Sequence, residues 1–510
     1  MVTSTIGSGW LFAPFFAARI AGVAALAAWL LGGLLAFLLA LVFAELGALV
    51  SSSGALAQIP LLSHGRTAGF IGGWCAWIAY LALPSVEVLA VLQYLASSLP
   101  WLTADGGSGQ VLSPAGVAVG IALLLLLTLI NLSGVKQLAR WIDGLTSWKL
   151  AVPLLVSLAL MLASGHWQNL QPAATASPSG PAAARAVVQA LSGGGILFSL
   201  LGFRTAMDLA GEARQPQRTV PRAMALGLGI SLAIYLLLQL AFLVSVPPAA
   251  LQGGWSQLTL TAHGGPLVAL SLGAGLGWAA RLLLLDAAIS PTATAMAYLG
   301  AASRVGWMMG RCGLLPPPLA ALNRQQVPAP ALLVSLAIGV LLLLGGPSWQ
   351  GAVSFLTATL VIALAMGPVS LLALRQQWPE AERGYRLPLA QLGCPAAFLL
   401  ATWAIAWCGQ AALRGAVLCV LLPALVFVLA ELVRPAPGRT SPSASASTRP
   451  PLDLRQGLWW FLYLGGIVAI SGAALPFATE LAALSGWALL LFPLAVGSRL
   501  ARPSPWAGVS

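Results

Sequence analysis

A few ionisable side chains stand inside long apolar stretches of this 510-residue sequence, and their chemistry needs an explanation. Those with a candidate role are Glu87, Lys149, Arg204 and Asp286. A charge at the centre of a bilayer costs at least about 2.5 kcal/mol, so each is expected to find a partner, a proton or a ligand. Two carboxylates, an amine and a guanidinium predict ion pairing and proton transfer.

No arrangement of residues predicts an enzyme. His64, His166 and His263 are scattered and form neither a catalytic dyad nor a metal site, and the five cysteines show no CxxC spacing. A phosphate-binding GxxxxGK sequence and cofactor signatures are also missing from the sequence. We therefore predict no catalytic residues, no metal ligands and no cofactor.

Glycines interrupt two of the apolar stretches. The first contains Gly7-Ser8-Gly9, and the sixth contains Gly193-Gly194-Gly195 followed by Gly202. Glycine weakens a helix by about 1 kcal/mol and lets the backbone approach a ligand closely. Two such breaks five segments apart are expected of an inverted repeat of five plus five helices, with substrate bound between the broken helices near the bilayer midplane. Tight packing of small residues is the alternative explanation.

The elements that must position these residues are membrane-spanning helices. Apolar residues make up 59% of the chain and charged residues only 7%, which excludes a soluble domain. A bilayer core of about 30 Å needs about 20 apolar residues per helix. We predict fourteen such spans, at residues 2–18, 22–49, 68–99, 114–133, 141–164, 187–210, 222–246, 266–301, 328–346, 349–374, 388–412, 414–433, 457–475 and 481–498.

The charges between the spans predict the topology. Of the 24 Lys and Arg residues, the loops assigned to the outside hold only Arg19, Arg185 and Arg414. By the positive-inside rule, both termini are expected in the cytoplasm. The net charge of +12 does not indicate nucleic acid, because the cations lie between spans rather than on one soluble face.

A stretch rich in Pro and Ser divides the chain into three predicted parts. Residues 1–433 form a core of about twelve spans, residues 434–456 a cytoplasmic linker, and residues 457–510 two additional transmembrane helices. Only Met1 to Ile6 precede the first break, about 9 Å of helix. The sequence therefore leaves open whether the natural chain begins upstream of Met1.

Five stretches resemble, in the same order, those of the amino acid/polyamine/organocation superfamily. The match covers roughly residues 2–430 and implies an all-α membrane protein with the inverted-repeat core of the leucine-transporter fold. The stretches are Ile6 to Phe12; Ser53 to Gly65 with Gly69-Phe70; Gly202-Phe203-Arg204 with Glu212, Pro216, Arg218, Pro221 and Arg222; Asp286 to Pro291 with Ser303-Arg304; and Leu315-Pro316 with Val327-Pro328.

Three of the stretches are also similar to bacterial aspartate/proton symporters of this superfamily. They are Gly7 to Phe12, Pro84 to Glu87 with Gln93-Tyr94, and Asp286 with Ser290-Pro291. Relatives with unassigned substrates share them, so they indicate the transporter class more strongly than they indicate aspartate.

The resemblance and helix electrostatics together predict a substrate site. The half-helix that follows Gly7, Ser8 and Gly9 directs free N–H groups and a positive dipole end at the cavity, which suits an α-carboxylate. Carbonyls freed between Phe198 and Gly202 can accept hydrogen bonds from an α-ammonium group. Phe198 lies where the family usually has a gating aromatic residue, although ordinary packing also explains it.

Lys149 is the predicted coupling residue. Proton-coupled members of the family have a lysine at this position beside the broken first helix, where its ammonium takes the place of sodium and can release a proton during the cycle. The alternative is a lysine that extends to the cytoplasmic interface.

Arg204 departs from the family, which commonly has glutamate at this position. A guanidinium near the site can bind the side-chain carboxylate of an acidic substrate. A structural salt bridge to Glu87 or Asp208 is the alternative. Glu87 and Asp286 are the remaining deep carboxylates and complete the predicted substrate site.

The resemblance implies a proton symporter that imports a small amino acid, with acidic amino acids among the candidates, at the plasma membrane. An exchanger or polyamine transporter on the same fold, or a membrane protein that binds its ligand without transport, are the alternatives. The predicted partners are thus an amino acid, protons and the lipid bilayer, and not nucleic acid. The sequence leaves the substrate, the stoichiometry and the oligomeric state open.

Overall fold

Helices form nearly the whole described length of the chain. The computed structural model describes residues 2–50, 52–106, 109–133, 135–171, 177–208, 215–260, 264–433 and 455–502. The predicted linker therefore lies almost entirely outside the described residues.

The helices follow the apolar stretches of the sequence. Their bounds are α1 (Val2–Thr5), α2 (Gly9–Ala21), α3 (Ala25–Leu49), α4 (Ala55–Leu95), α5 (Pro114–Leu132), α6 (Val135–Ser164), α7 (Gly180–Gly193), α8 (Ile196–Leu200), α9 (Thr205–Asp208), α10 (Pro216–Ser245), α11 (Pro266–Gly273), α12 (Gly277–Arg311), α13 (Ala329–Leu344), α14 (Trp349–Gln377), α15 (Ala390–Ala406), α16 (Gln410–Val433), α17 (Arg455–Gly472) and α18 (Phe477–Gly497). A short antiparallel hairpin of β1 (Thr103–Gly106) and β2 (Gly109–Leu112) joins α4 to α5.

Each predicted span coincides with helical structure, with one correction. The segment predicted at 266–301 is two helices, because α11 ends at Gly273 and α12 begins only at Gly277. Nine helices of the described chain are long and apolar enough to cross a membrane, or ten if α7 and its continuation to Met207 form one bent span. This count joins α2 to α3, although the chain turns between them at Gly22, where φ is +57°. The chain is therefore an integral multi-pass membrane protein.

Two of the spans are broken at their glycines. The first break separates α1 from α2 at residues 6–8, and the second separates α7 from α8 at Gly194 and Gly195. Gly195 has a φ of +78°, which favours glycine, and the second segment bends by 53°. A Cβ atom at Gly194 would lie 3.1 Å from the Cα atom of Ala17, so the two broken spans also pack closely.

Long helices surround the breaks. Helix α4 packs along α12 and α14, and α10 packs along α3. Helix α4 itself changes direction at Gly65, where φ is +79°, so the span that carries Glu87 begins after that residue. The predicted site residues Glu87, Lys149 and Asp286 lie on α4, α6 and α12 respectively.

The last two helices are docked on the core. Leu500 N, which follows α18, donates to Ser63 O over 3.0 Å, and Gln377 Nε2 donates to both Ser63 O and Leu500 O over 2.7 Å. The ring of His64 lies 2.9 Å from Ala495 O through its Nε2 atom. We call the side of the protein on which α2 begins the inner side, and the side on which α2 ends the outer side.

Candidate functional site

The first break places a peptide N–H opposite a carboxylate of α4. Ser8 N donates to Glu87 Oε2 over 2.7 Å, and Glu87 is buried. A Cβ atom at Gly7 would lie 2.6 Å from Glu87 Oε1, so glycine is required for this approach. The positive end of the α2 dipole favours an anion here. In this conformation Glu87 itself occupies the position predicted for the carboxylate of the substrate.

Lys149 of α6 connects the unwound backbone to α12. Its Nζ atom donates to Ile6 O and to Thr294 Oγ1, each over 2.7 Å. The side chain is fully buried, so it does not extend to the membrane interface. Ile6 O has no helical partner because α1 ends at Thr5, and the ammonium compensates that lost hydrogen bond.

Asp286 of α12 accepts hydrogen bonds from three side chains. Trp10 Nε1 lies 3.2 Å from Oδ2, and Trp148 Nε1 and Ser290 Oγ lie 2.6 and 2.7 Å from Oδ1. The carboxylate is fully buried. Asp286 therefore joins α2, α6 and α12 on the outer side of Lys149.

Phe198 belongs to an aromatic cluster over the outer side of the first break. It packs edge-on against Trp349 of α14 at 5.8 Å between ring centroids. Trp349 also stacks on Phe12 at 4.8 Å and on Phe16 at 5.6 Å, and its Nε1 atom donates to Ser8 Oγ over 3.1 Å. The cluster covers the start of α2, the position expected of a gate.

The two broken spans touch each other directly. A Cβ atom at Gly9 would overlap the side chain of Ser199 on α8, and one at Gly202 would lie 2.6 Å from the Cα atom of Thr5. Gly202 O also accepts a hydrogen bond from Ser4 Oγ over 3.4 Å. The Gly202 carbonyl, predicted to bind an ammonium group, is thus bonded to the protein in this conformation.

Arg204 is buried between two tyrosines. Its guanidinium lies 4.7 Å from the ring centroid of Tyr80 and 5.2 Å from that of Tyr298. Its Nη1 atom donates to Leu201 O over 2.6 Å, whereas its Nε atom has no hydrogen-bond partner within the described chain, and Arg204 forms no described ion pair with Glu87. The side chain of Asp208, the other predicted salt-bridge partner, lies outside the described residues.

The sequence comparisons decide the family. A profile of the family described as "Amino acid permease" matches residues 1–442. The chain is 30% identical over 476 residues to the glutamate/serine transporter AimA of Bacillus subtilis strain 168, covering 92% of this chain and 84% of that protein. It is 31% identical over 406 residues to the aspartate-proton symporter of the same strain, covering 79% and 76%. This chain belongs to the amino acid permease family.

The fold of this permease also has a solved counterpart. A mutant of the manganese transporter of Eremococcus coleocola aligns with a TM-score of 0.53 at 17% identity, covering 84% of this chain and 92% of that one. The predicted fold class, an all-α membrane protein whose first and sixth spans are broken, is confirmed. The resemblance to the superfamily is confirmed as well. The family is one of transporters and not of enzymes.

Several residues that contact the predicted site residues were not themselves predicted as site residues. Ser290, although it belongs to a stretch that carries the resemblance, and Thr294 follow Asp286 at intervals of four residues, and this helical spacing was a usable signal. Trp148 directly precedes Lys149 and was a second signal. Trp349 and Tyr235, which donates to Thr5 O over 2.9 Å, had none, because their partners are more than 200 residues away.

Proposed function

We propose that this permease is a proton symporter that imports a small amino acid by alternating access across the plasma membrane. The names of two relatives support this reading, since one transports glutamate and serine and the other couples aspartate to protons. Acidic amino acids are the favoured class, because each of the two names includes one and Arg204 supplies a buried guanidinium that forms no described ion pair with Glu87.

The observation that carries the proposal is the position of Lys149. As an ammonium it donates to Ile6 O on one side and to Thr294 on the other, so it holds the unwound part of the first span against α12. Loss of its proton removes the charge that strengthens both bonds. The proton then binds one conformational state more tightly than the other, and this differential affinity is what couples it to movement.

Glu87 supplies the link between substrate and proton. The carboxylate of an arriving amino acid competes with Glu87 for the N–H group of Ser8. Once Glu87 is displaced from Ser8 N, its carboxylate can accept a hydrogen bond from the ammonium group of the substrate, or it can bind a proton. Gly7, Ser8 and Gly9 would bind the substrate carboxylate, Phe198 and Gly202 would enclose it, and Asp286 would orient the outer half of the site through Trp10.

Uptake into proteoliposomes tests the proposal. Labelled L-glutamate, L-aspartate and L-serine are supplied separately, with an inward proton gradient and again after a protonophore has dissipated it. We expect accumulation above the external concentration only with the gradient. Counterflow without gradient dependence would instead identify an exchanger, and binding without flux would identify a protein that only senses its ligand.

The loop charges support an orientation with both termini in the cytoplasm. Single cysteines placed at Ser443 and Ser510, both outside the described residues, should resist a membrane-impermeant thiol reagent applied to intact cells. A cysteine at the outer Arg185 is the matched positive control. Labelling at Ser443 would remove one span from the predicted topology.

A further inference from the structure

A cavity with a partly polar lining opens on the outer side of the protein, away from the contacts between Gly9 and Ser199 and between Gly202 and Thr5. It has a volume of about 380 Å³ and lies between α7, the turn from α15 to α16 and the turn from α17 to α18. Ligand sites for small molecules commonly start near this size. None of the predicted site residues lines it. Its polar lining comprises Arg185, Gln189, Trp407, Gln410, Ser471 and Glu480.

Glu480 is the acidic residue in the lining of this outer cavity. The residue is only 6% exposed, its side chain forms no hydrogen bond or ion pair with another described residue, and its carboxylate oxygens open onto the cavity. Glu480 lies in the first turn of α18, where the helix dipole favours a carboxylate by only about 0.3–1 kcal/mol. A carboxylate that faces a cavity can pair with a cationic group that enters it.

Arg185 supplies the opposite charge across the same cavity. It projects from α7, is exposed, and makes no ion pair with Glu480, since their charged atoms are more than the contact distance of a salt bridge apart. The cavity thus offers a site for a cation and a site for an anion with room between them.

We propose that the outer cavity binds a second molecule of a small zwitterionic amino acid. Its ammonium group would face Glu480, and its carboxylate would face Arg185. A simple ion would leave one of the two charges unmatched, whereas a zwitterion matches both. The choice of an amino acid rests on the proposed function; the presence of an occupant rests on the unpaired charges alone.

The cavity also reaches the second break, which gives its occupancy a consequence. Gly193, the last residue of α7, lines the cavity, and its carbonyl accepts a hydrogen bond from Gln350 Nε2 of α14 over 3.0 Å. A ligand held by Arg185 of α7 and by Glu480 of α18 would tie the outer half of the sixth span to the last helix pair. Occupancy of the outer cavity therefore biases the position of α7 and modulates transport.

Binding stoichiometry tests this proposal on the purified full-length protein. Equilibrium binding of labelled L-glutamate, L-aspartate and L-serine is measured for the parent protein and for Glu480→Gln, Arg185→Gln and Arg414→Gln. Arg414 is an exposed arginine near the start of α16 that does not line the cavity, so it controls for the loss of one outer charge. Arg185 is exposed, so its replacement guards against a folding defect in Glu480→Gln.

We expect two bound amino acids per parent chain and two in Arg414→Gln, but one in Glu480→Gln and in Arg185→Gln, because the outer affinity falls about ten-fold or more. Gly9→Val, which obstructs the central site, should keep one bound amino acid and lose it when combined with Glu480→Gln. At most one bound molecule per parent chain, unchanged in number by Glu480→Gln, would overturn the outer site. A failure of proteoliposome uptake would overturn the proposed function and leave this count unaffected.

Discussion

This permease contains two buried clusters of charged residues, one around Glu45 and one around Lys149, that differ in their cations. Near the inner end of α3, Glu45 accepts from Arg375 Nε and Nη2 over 2.9 and 2.6 Å, lies 3.2 Å from Arg383 Nε, and accepts from Leu387 N over 2.7 Å. At the first break, Lys149 donates to a backbone carbonyl and a hydroxyl. The cations of the first cluster are arginines, and the cation of the second is a lysine.

The difference lies in which charges can change. Arginine stays protonated in proteins, so the pairs of Glu45 are permanent and connect α3 to α14 and to the segment that follows α14. A lysine, unlike an arginine, can release its proton in a buried environment, so the hydrogen bonds of Lys149 can be strengthened and weakened. We infer that the Glu45 cluster maintains the fold, whereas the Lys149 cluster can switch.

Arg375→Ala should give the largest effect, and on stability alone. Removing one partner of a buried ion pair costs about 3 kcal/mol, although Arg383 and Leu387 N remain to Glu45. We expect a clearly lower Tm of the purified protein, measured by thermal unfolding in detergent. Uptake per folded molecule should stay within about two-fold of the parent. Loss of proton coupling at an unchanged Tm would abolish the distinction between the clusters.

Lys149→Ala should impair transport rather than stability. We expect gradient-driven accumulation to fall about 100-fold while substrate still binds, with the pH dependence of binding flattened. Lys149→Arg is the matched control, because it keeps a positive charge that cannot be released. It should also fail to accumulate substrate but should retain the parent Tm. Normal accumulation by either variant would transfer the coupling role to Glu87 or Asp286.

Gly9→Val tests whether the backbone at the first break binds the substrate. A side chain at this position overlaps Ser199, and such overpacking costs about 2 kcal/mol, equivalent to about 30-fold in affinity. Substrate binding at the central site should weaken by that factor or more, with normal membrane insertion. Ser199→Gly in the same chain should restore part of the affinity. An unaffected affinity in Gly9→Val would place the substrate carboxylate elsewhere.

Trp148→Phe should have the smallest effect. It removes one of three donors to Asp286 and keeps the aromatic packing, at a cost of about 1 kcal/mol. We expect the apparent affinity in uptake assays to change about five-fold with proton coupling intact. Trp278→Phe, on an exposed indole at the start of α12, controls for the loss of a tryptophan. A complete loss of coupling would make Asp286 part of the proton pathway.

The parts of the site that could be predicted from the sequence are those with local causes. Glycine runs marked both breaks, and burial in apolar sequence singled out Glu87, Lys149 and Asp286. Hydropathy did not detect the division of 266–301, because the turn between Gly273 and Gly277 consists of apolar and small residues. The contacts of Trp349 and the pairing of Glu45 with Arg375 depend on helices far apart in the chain, so no local pattern reports them.

The docking of α18 on Ser63 has a consequence for engineering the chain. The Ser63 carbonyl accepts a hydrogen bond from Leu500 N, and the ring of His64 bonds to Ala495 O. The part of α4 that precedes its kink therefore depends on residues near the C-terminal end of α18 for its hydrogen bonds. A shortened protein that ends after Val433 would expose these groups and the apolar face of α15 that α17 and α18 now cover. Removal of the last two helices would therefore yield a poorly folding protein rather than a minimal transporter, so a purification tag belongs beyond residue 502.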